Sequence, residues 1–227
     1  VNTFVISFGK LLVGFPAPIL FALLLNEVKN RAAKRIVQTV VYLPHFISWV
    51  VVGNIVLMML APKTGLFSTL ITAMTGRDVN VLLDPDAFRW VLILSDTWKE
   101  LGWSSIIYLA ALSSVDVSLY EAAAMDGASR LRMMWHITLP AIRSTIIVML
   151  ILRVGKIMDA GFEQVLIMSN ALVNDKCEII DTYVYKVGLL QAKYSFSTAV
   201  NLLKSLFGLS MVLTVNGIAK RWEENML

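Results

Sequence analysis

The chain has 227 residues, of which 57% are hydrophobic and only 16% are charged, and its mean hydropathy is +0.71. This balance excludes an ordinary soluble globular protein and favours a membrane protein with several spans. The formal charge of +4 comes without a patch of interleaved basic and aromatic residues, so nucleic acid is not expected as a partner. The single cysteine, Cys177, cannot form an intrachain disulfide.

Five apolar segments are long enough to cross a hydrocarbon core of about 30 Å, which takes about 20 residues of helix. They are Phe4–Leu25, Ile36–Leu60, Phe88–Ser113, Ala141–Met168 and Thr198–Ala219. Pro16 and Pro18 predict a kink in the first segment, and the second segment contains Pro44. The sequence therefore predicts an all-α fold, a polytopic transmembrane helical bundle with about five spans.

The connector between the second and third spans, Ala61–Ala87, carries a helical pattern of its own. Apolar residues repeat at helical spacing between Gly65 and Gly76, namely Leu66, Phe67, Leu70, Ile71 and Met74. We expect a short amphipathic helix that lies in the outer membrane interface.

Lysine and arginine residues predict the orientation of the spans, because they concentrate in cytoplasmic loops. They occur in the first connector, the third connector and the C-terminal tail, at Lys29, Arg31, Lys34, Arg35, Arg130, Arg132, Lys220 and Arg221. We predict that Ser114–Arg143 and the tail after Ala219 face the cytoplasm. Gly65–Ala87 and Asn170–Tyr194 are then expected to face outward.

The third connector, residues 114–140, has the pattern of two short helices broken by a glycine. Ser118 and Glu121 have the spacing of a capping box, which predicts a first helix that ends at about Met125. Gly127, which follows an aspartate, supplies a turn in which a positive φ costs little. The break between the helices is therefore expected at this glycine.

The second short helix of the loop is expected to begin at Ser129, whose side chain can cap it, and to reach about His136. Pro140 then fits the first turn of the next membrane helix, where its missing N–H costs little. The three alanines at 122–124 leave the first helix thin, so another protein can approach it closely.

The sequence of this loop and of several other segments resembles that of a known family. The loop resembles the cytoplasmic coupling loop of importer permeases in the ATP-binding-cassette superfamily, through Glu121-Ala122-Ala123, Asp126-Gly127-Ala128 and Ile137-x-Leu139-Pro140. Other segments resemble one branch, the sugar-importer permeases related to the maltose and polysaccharide systems. They are Tyr42-Leu43-Pro44-x-Phe46-Ile47-Ser48-Trp49, Trp98-Lys99-x-x-Gly102-Trp103, Tyr108-Leu109-Ala110-Ala111-Leu112, Gly161-Phe162-Glu163 and Thr182-Tyr183-Val184-Tyr185.

The resemblance implies a single transmembrane permease domain over residues 1–227, with its coupling loop at 114–140, in a bacterial inner (cytoplasmic) membrane. The resemblance implies a core of six helices, so a further helix is expected ahead of Val1. The implied partners are a second homologous permease, two ATPase subunits, an extracytoplasmic solute-binding protein, the lipid bilayer and a carbohydrate solute. ATP and Mg would bind the ATPase, so no cofactor is expected on this chain.

The resemblance also implies which residues contact the ATPase, namely Ser118, Glu121, Ala122, Ala123, Asp126, Gly127, Ala128 and Arg130. In this interpretation Glu121 faces a basic residue of the ATPase, and Ala122 and Ala123 pack in its cleft. The alternative is an ordinary capped loop, in which Glu121 only closes the cap of its own helix.

Charged residues inside predicted spans cost roughly 2.5–3.5 kcal/mol each at the bilayer centre on insertion scales. They are Lys10, Asp96, Lys99, Glu100, Arg153, Lys156, Asp159, Glu163 and Lys204. The i, i+3 spacing favours pairing of Lys99 with Asp96 and of Lys156 with Asp159. An aqueous pathway explains the whole set, whereas structural ion pairs or snorkelling near helix ends explain single members.

Sugars present C–H faces to aromatic rings and hydroxyl groups to polar side chains. The candidate pathway residues of these two types are Asn54, Trp98, Lys99, Trp103, Tyr108, Lys156, Asp159, Phe162, Glu163 and Gln164. The alternative is that Trp and Tyr gather at bilayer interfaces without binding a solute. Lys99, Arg153 and Lys156 would suit an acidic oligosaccharide, although their acidic neighbours weaken that idea.

We therefore predict the permease subunit of an ATP-driven carbohydrate importer, which forms half of a translocation pathway and is not an enzyme. The sequence has no Gly-x-x-x-x-Gly-Lys-Ser/Thr run, and His45 and His136 lack metal-ligand spacing, so neither a P-loop nor a metal site is expected. One alternative is an ion-coupled secondary transporter with proton sites at Asp96, Asp159 and Glu163, which leaves the coupling loop unexplained. The other is a polytopic membrane enzyme, for which no catalytic constellation is visible.

Overall fold

The computed structural model describes residues 1–76 and 80–224, and this part of the chain consists of helices and turns without a β-strand. The α-helices are α1 (Asn2–Gly14), α2 (Pro16–Asn26), α3 (Arg31–Tyr42), α4 (Trp49–Met59), α5 (Leu66–Thr75), α6 (Pro85–Ser113), α7 (Val117–Met125), α8 (Arg130–Met133), α9 (Leu139–Ala141), α10 (Arg143–Gly155), α11 (Phe162–Met168), α12 (Asn174–Cys177), α13 (Ile180–Val184) and α14 (Tyr194–Glu224). A 3₁₀ helix covers Leu43–Phe46, and π-helices cover Met134–Thr138 and Tyr185–Leu190. The predicted all-α fold is confirmed.

Two helical stretches of the described chain are long and apolar enough to cross a membrane alone, Asn2–Asn26 and Tyr194–Lys220. The first joins α1 and α2, and the helix is interrupted at Phe15, just ahead of Pro16. Three further crossings exist if each bent pair counts as one, with bends of 104° between α3 and α4, 70° between α6 and α7, and 62° before α10. The five predicted spans are therefore reached only when broken helices are included.

The second predicted span, Ile36–Leu60, is made of two helices with a bend of 104° between them. The chain turns between α3 and α4 through the segment Leu43–Ser48, which we call the elbow. Pro44 lies in the 3₁₀ turn, where it cannot donate the N–H that a continuing α-helix needs. Ile47 and Ser48 then adopt extended backbone angles before α4 begins.

The fourth predicted span, Ala141–Met168, is also divided. α10 ends at Gly155, and α11 starts only at Phe162, so the segment Lys156–Gly161 between them, which we call the break, is not helical. Gly161 has a φ of +90°, and a Cβ atom there would lie 2.7 Å from the Nζ of Lys10. The break thus needs a glycine both for its backbone angle and for the approach of a lysine.

The buried apolar residues form two separate clusters that α6 connects. The outer cluster contains Ile6, Phe88, Leu92, Ala160, Val165, Met168, Val173, Cys177 and Ile179. The inner cluster contains Ile19, Ala22, Leu23, Tyr108, Leu112 and Ile142. Between Leu92 and Tyr108, α6 carries Asp96, Lys99 and Glu100, so a charged layer separates the two clusters in the middle of the fold.

Close helix crossings depend on glycine. A Cβ atom on Gly102 of α6 would clash with the backbone carbonyl of Val41 in α3. A Cβ atom on Gly208 of α14 would lie 2.8 Å from the carbonyl oxygen of Gly155 in α10. Small residues allow such approaches between membrane helices.

The described parts of the connectors that are predicted to face outward contain short helices. α5 begins after Gly65 and ends at Gly76, whose φ is +65°, so the predicted helix between these glycines is confirmed. Cys177 of α12 is fully buried, and burial raises the pKa of its thiol to about 11. A thiol with so high a pKa is almost entirely protonated at neutral pH, and it is therefore a poor nucleophile.

Candidate functional site

The first helix of the coupling loop is capped by a different residue from the one predicted. Asp116 is the N-cap of α7, and its Oδ1 accepts a hydrogen bond of 2.9 Å from the backbone N–H of Ser118. This bond lowers the pKa of the Asp116 carboxyl below its ordinary value. The predicted capping box between Ser118 and Glu121 is wrong, because an aspartate two residues earlier already satisfies a free N–H of the first turn.

The turn between the two helices of the loop is as predicted. Gly127 has a φ of +74°. Its N–H donates to the carbonyl of Ala124 at 3.1 Å, while the N–H of Ala128 donates to Ala123 at 2.9 Å. This double closure is the Schellman pattern, which requires a left-handed residue after the C-cap. The hydroxyl of Ser129 then accepts from the N–H of Arg132 at 3.4 Å and caps α8.

The surface of the loop is exposed and partly apolar. Glu121 and Ala122 are exposed and Ala123 is half-buried, so these predicted contact residues lie on an accessible face of α7. Large exposed apolar side chains also lie in the loop, at Val117, Leu119, Met125, Leu131 and Trp135. Exposed apolar surface in one short loop favours an interaction site. Sequence reasoning passed over these apolar residues, although apolar side chains in a predicted cytoplasmic loop are themselves a signal.

Two side-chain contacts tie the loop to the rest of the fold. Arg130 forms a 2.8 Å ion pair with Glu27 at the end of α2. The hydroxyl of Tyr120 lies 3.0 Å from that of Thr138, which is buried in the π-helix. The π-helix continues α8 from Met134 to Thr138, so the helical segment that starts at Arg130 includes the predicted limit at His136.

Pro140 also has a different position from the one predicted. It lies in the short α9, and the 13-residue helix α10 begins only at Arg143, after a bend of 62°. The loop therefore enters the membrane helix through two short helical turns instead of directly.

A cavity of about 460 Å³ opens in the charged layer in the middle of the fold. Its lining comes from α1, the centre of α6, the end of α10, the break, α11 and α13, and consists of Ser7, Lys10, Leu11, Asp96, Glu100, Arg153, Lys156, Ile157, Asp159, Gly161, Phe162 and Asp181. A second cavity of about 480 Å³ lies beside α14 and shares Lys156 and Asp159 with the first. Non-helical backbone at membrane depth is tolerated where it lines such a cavity, which fits the position of the break.

Lys10 is the centre of the contacts that hold this cavity together. Its Nζ donates to Asp96 at 3.0 Å, to the carbonyl of Ala160 in the break at 2.9 Å and to Gln164 at 2.5 Å. The amide of Gln164 donates in turn to the carbonyl of Leu92 and to the hydroxyl of Ser95, both at 2.8 Å. One buried lysine thus joins α1, α6 and the break.

The predicted pairings within single helices are wrong. Asp96 pairs with Lys10 instead of Lys99, and Asp159 pairs with Lys204 of α14 at 3.1 Å instead of with Lys156. Lys204 also pairs with Asp181. Both aspartates pair with a lysine from another helix, and both of these lysines, Lys10 and Lys204, are largely buried.

Lys99, another of the predicted pathway residues, lies on α6 and contacts the elbow. Its Nζ donates to the carbonyl of His45 at 2.7 Å and lies 5.6 Å from the ring centre of Trp49. The ring of His45 bonds to Glu100 at 2.9 Å and stacks on Trp103 with ring centres 4.5 Å apart. Lys99 and Trp103 therefore hold the elbow against α6.

The other predicted pathway residues are distributed between the cavity and the rest of the fold. Lys156, Asp159 and Phe162 line the cavity, while Gln164 is fully buried behind it and Glu163 is exposed. Three lie elsewhere: Asn54 on α4, Trp98 in an apolar groove beside α5, and Tyr108 in the inner cluster. Their part in a pathway stays a prediction.

The structure adds lining residues that the predicted pathway set omits, namely Lys10, Asp96, Glu100 and Arg153. Their signal was their charge in the middle of predicted spans. Aromatic character was the weaker guide, since Trp98 and Trp103 lie outside the lining.

Residues 14–224 match the family described as binding-protein-dependent transport system inner membrane component. Protein LplB of Bacillus subtilis (strain 168) is 49% identical over 226 residues, which cover 100% of this chain and 71% of LplB. The polygalacturonan/rhamnogalacturonan transport system permease protein YteP of the same organism is 50% identical over 223 residues, which cover 98% of this chain and 70% of YteP.

Two crystal structures are also similar. One is the structure of a bacterial ABC transporter involved in the import of the acidic polysaccharide alginate. It matches with a TM-score of 0.91 and 41% sequence identity, and the match covers 97% of this chain and 77% of the matched chain. The other is the structure of a bacterial alginate ABC transporter in complex with alginate pentasaccharide-bound periplasmic protein. It has the same TM-score and identity, and the match covers 97% of this chain and 76% of the matched chain. The chain belongs to the family of inner-membrane components of binding-protein-dependent transport systems, and it is a membrane permease of that family.

Proposed function

We propose that this chain forms one half of the translocation pathway of an ATP-driven carbohydrate importer. Residues 1–227 act as one transmembrane permease domain. A second, similar permease supplies the other half, two ATPase subunits bind at the cytoplasmic face, and an extracytoplasmic solute-binding protein delivers the sugar. The observation that carries the proposal is the exposed pair of helices α7 and α8, a projecting surface suited to receive force from another protein.

The relatives support carbohydrate as the solute class. YteP is named for transport of polygalacturonan and rhamnogalacturonan, and the similar crystal structures come from importers of alginate. The cavity at the break is consistent with a sugar, because it combines an aromatic ring, Phe162, with charged groups that can bond to hydroxyls.

The coupling loop transmits the motion of the ATPase. Glu121 on α7 faces a basic residue of that subunit, and the alanine face of the helix packs in its cleft. ATP and Mg²⁺ bind the ATPase, since this chain has no P-loop sequence. Closure of the ATPase dimer moves α7 and α8, the pathway opens outward, and hydrolysis resets it.

Co-purification of the ATPase with Glu121 variants tests this role. Loss of one partner of a desolvated charge pair at an interface costs about 2–5 kcal/mol. We therefore expect Glu121→Ala and Glu121→Gln to release the ATPase while the membrane subunit keeps its thermal stability. Asp175→Ala, which removes an exposed carboxylate from the outer connector, is the matched control. Retained ATPase binding in both Glu121 variants would remove the docking role.

Uptake by the assembled transporter tests the energy source. In proteoliposomes with ATP on the ATPase side, oligosaccharide uptake should persist after the proton gradient is dissipated. Uptake that stops with the gradient and continues without ATP would instead identify an ion-coupled transporter.

A further inference from the structure

The acidic groups of the cavity already have partners within the protein. Asp96 is held by Lys10 at 3.0 Å, and Lys204 bridges Asp159 and Asp181. Glu100 bonds to the ring of His45 at 2.9 Å and lies 3.7 Å from Lys99. Each carboxylate of the lining therefore has a cationic or hydrogen-bonding partner in the protein, and none requires a cationic ligand.

Two cations of the lining are far less engaged. Lys156 is exposed, lines both cavities, and forms no side-chain ion pair or hydrogen bond within the described chain. Arg153 is 40% exposed, and its Nη2 lies 3.8 Å from Asp96, which Lys10 already holds more closely. These two groups are three residues apart at the end of α10 and the start of the break, so they lie on one side of the cavity.

An aromatic ring follows directly after the break. Phe162, the first residue of α11, lines the cavity and packs against Tyr185 with ring centres 5.5 Å apart. This contact with Tyr185 helps to fix the position of the ring. The cavity thus offers an apolar face for a sugar ring beside two cations that lack a close partner.

We propose that Arg153 and Lys156 bind the carboxylate of an acidic saccharide whose ring packs on Phe162. The inference rests on the proposed function and narrows its solute class to uronic-acid oligosaccharides. An arginine can bind a carboxylate through two parallel hydrogen bonds, and lysine adds a point charge. A neutral sugar leaves Lys156 without a counter-charge and Arg153 with only the distant Asp96, so the cavity selects against it.

Direct binding to the purified transporter, without its solute-binding protein, tests the selectivity of the permease itself. The probes are trigalacturonate, its fully methyl-esterified form and maltotriose, titrated by saturation-transfer NMR. Charge-assisted hydrogen bonds predict that Arg153→Gln and Lys156→Gln each weaken trigalacturonate binding about tenfold or more. Binding of the ester should change little, and Lys193→Gln, in an exposed outer segment, should resemble wild type.

The outcomes separate this inference from the proposed function. If wild type binds maltotriose or the ester as well as trigalacturonate, or if the variants weaken acid and ester equally, the carboxylate site is wrong and the sugar importer stands. If ATP drives uptake of no saccharide, acidic or neutral, in the full complex, the proposed function falls and the inference falls with it.

Discussion

The central cavity and the coupling loop both depend on charged residues, but they hold them in opposite ways. Around the cavity, the side chain of Lys10 is 5% exposed and that of Asp96 14%, and the two residues lie 86 positions apart in sequence. In the loop, Arg130 is 64% exposed and its partner Glu27 35%. The loop helices themselves are set by bonds between residues at most five positions apart.

This difference decides what a single substitution does in each region. When one partner of a buried ion pair is removed, the remaining charge has neither its partner nor water, which is costly. When one partner of an exposed pair is removed, water solvates the remaining charge. Substitutions of the buried, paired charges at the cavity, Lys10 and Asp96, are therefore expected to act first on folding. Substitutions in the loop are expected to act on coupling while the fold persists.

Lys10→Met should have the largest effect, because it leaves Asp96 and Gln164 without their shared donor. Breaking one side of a buried pair costs roughly 3–5 kcal/mol, or ~10 °C in the thermal midpoint of a chain of this size. The measurement is the thermal midpoint of the detergent-purified transporter. Lys193→Met, which removes an exposed lysine, is the control.

A second variant guards against a purely steric explanation. Adding Asp96→Asn to Lys10→Met removes the unpaired charge, so part of the stability should return. If the single variant matches wild type, or if the double variant is no better than the single one, the buried pair does not hold α1 to α6.

Gly102→Ala should destabilise by roughly 1–3 kcal/mol, because the added methyl group meets the backbone of Val41 and α3 must shift. This change tests the buried region by shape, without altering a charge. Gly217→Ala is the control, since nothing lies within 4 Å of a Cβ atom there. Equal thermal midpoints for the two variants would show that α3 does not pack closely on α6.

The sequence could predict the loop because its signals are local. The bonds at Gly127 and Ser129 join residues three to five positions apart, so the roles of these residues follow from spacing alone. The failure at Ser118 has the same origin, since Asp116 lies within the same short range and both residue types cap helices.

The cavity could not be assembled from the sequence. Charges in the spans gave a candidate set, but the partners of Lys10 are 86 and 154 positions away. The i, i+3 rule selected Asp96 for Lys99, yet the elbow brings the carbonyl of His45 to that lysine instead. The bend between α3 and α4 places His45 beside Lys99, and the presence of Pro44 in the sequence does not predict the direction or size of that bend.

Gly127→Val should uncouple ATP hydrolysis from transport with little change in folding. The left-handed backbone angle costs a non-glycine residue roughly 1–2 kcal/mol, so the turn is expected to open. Gly76→Val is a closely matched control, because both glycines have positive φ, end a helix and have no atom within 4 Å of a Cβ position. Solute-stimulated ATPase activity in proteoliposomes should fall for Gly127→Val alone, and equal losses in both variants would deny the loop a special role.

The ion pair between Arg130 and Glu27 should give the smallest change in stability. Exposed pairs contribute roughly 0.2–1 kcal/mol and are screened by salt, so Glu27→Gln should lower the thermal midpoint slightly at low salt and not at high salt. Arg130 is also a predicted contact with the ATPase, and its guanidinium is exposed enough to reach a second partner while it pairs with Glu27.

A comparison of Arg130→Gln, Glu27→Gln and the double variant separates these two roles through co-purification of the ATPase. If Arg130 contacts the ATPase, Arg130→Gln weakens binding, Glu27→Gln does not, and the double variant matches Arg130→Gln. We expect this pattern. If Arg130 only fastens the loop to α2, the two single variants and the double variant weaken binding equally, because each removes the same contact. That second result would make Arg130 a positioning residue and leave docking to Glu121 and the apolar face around it.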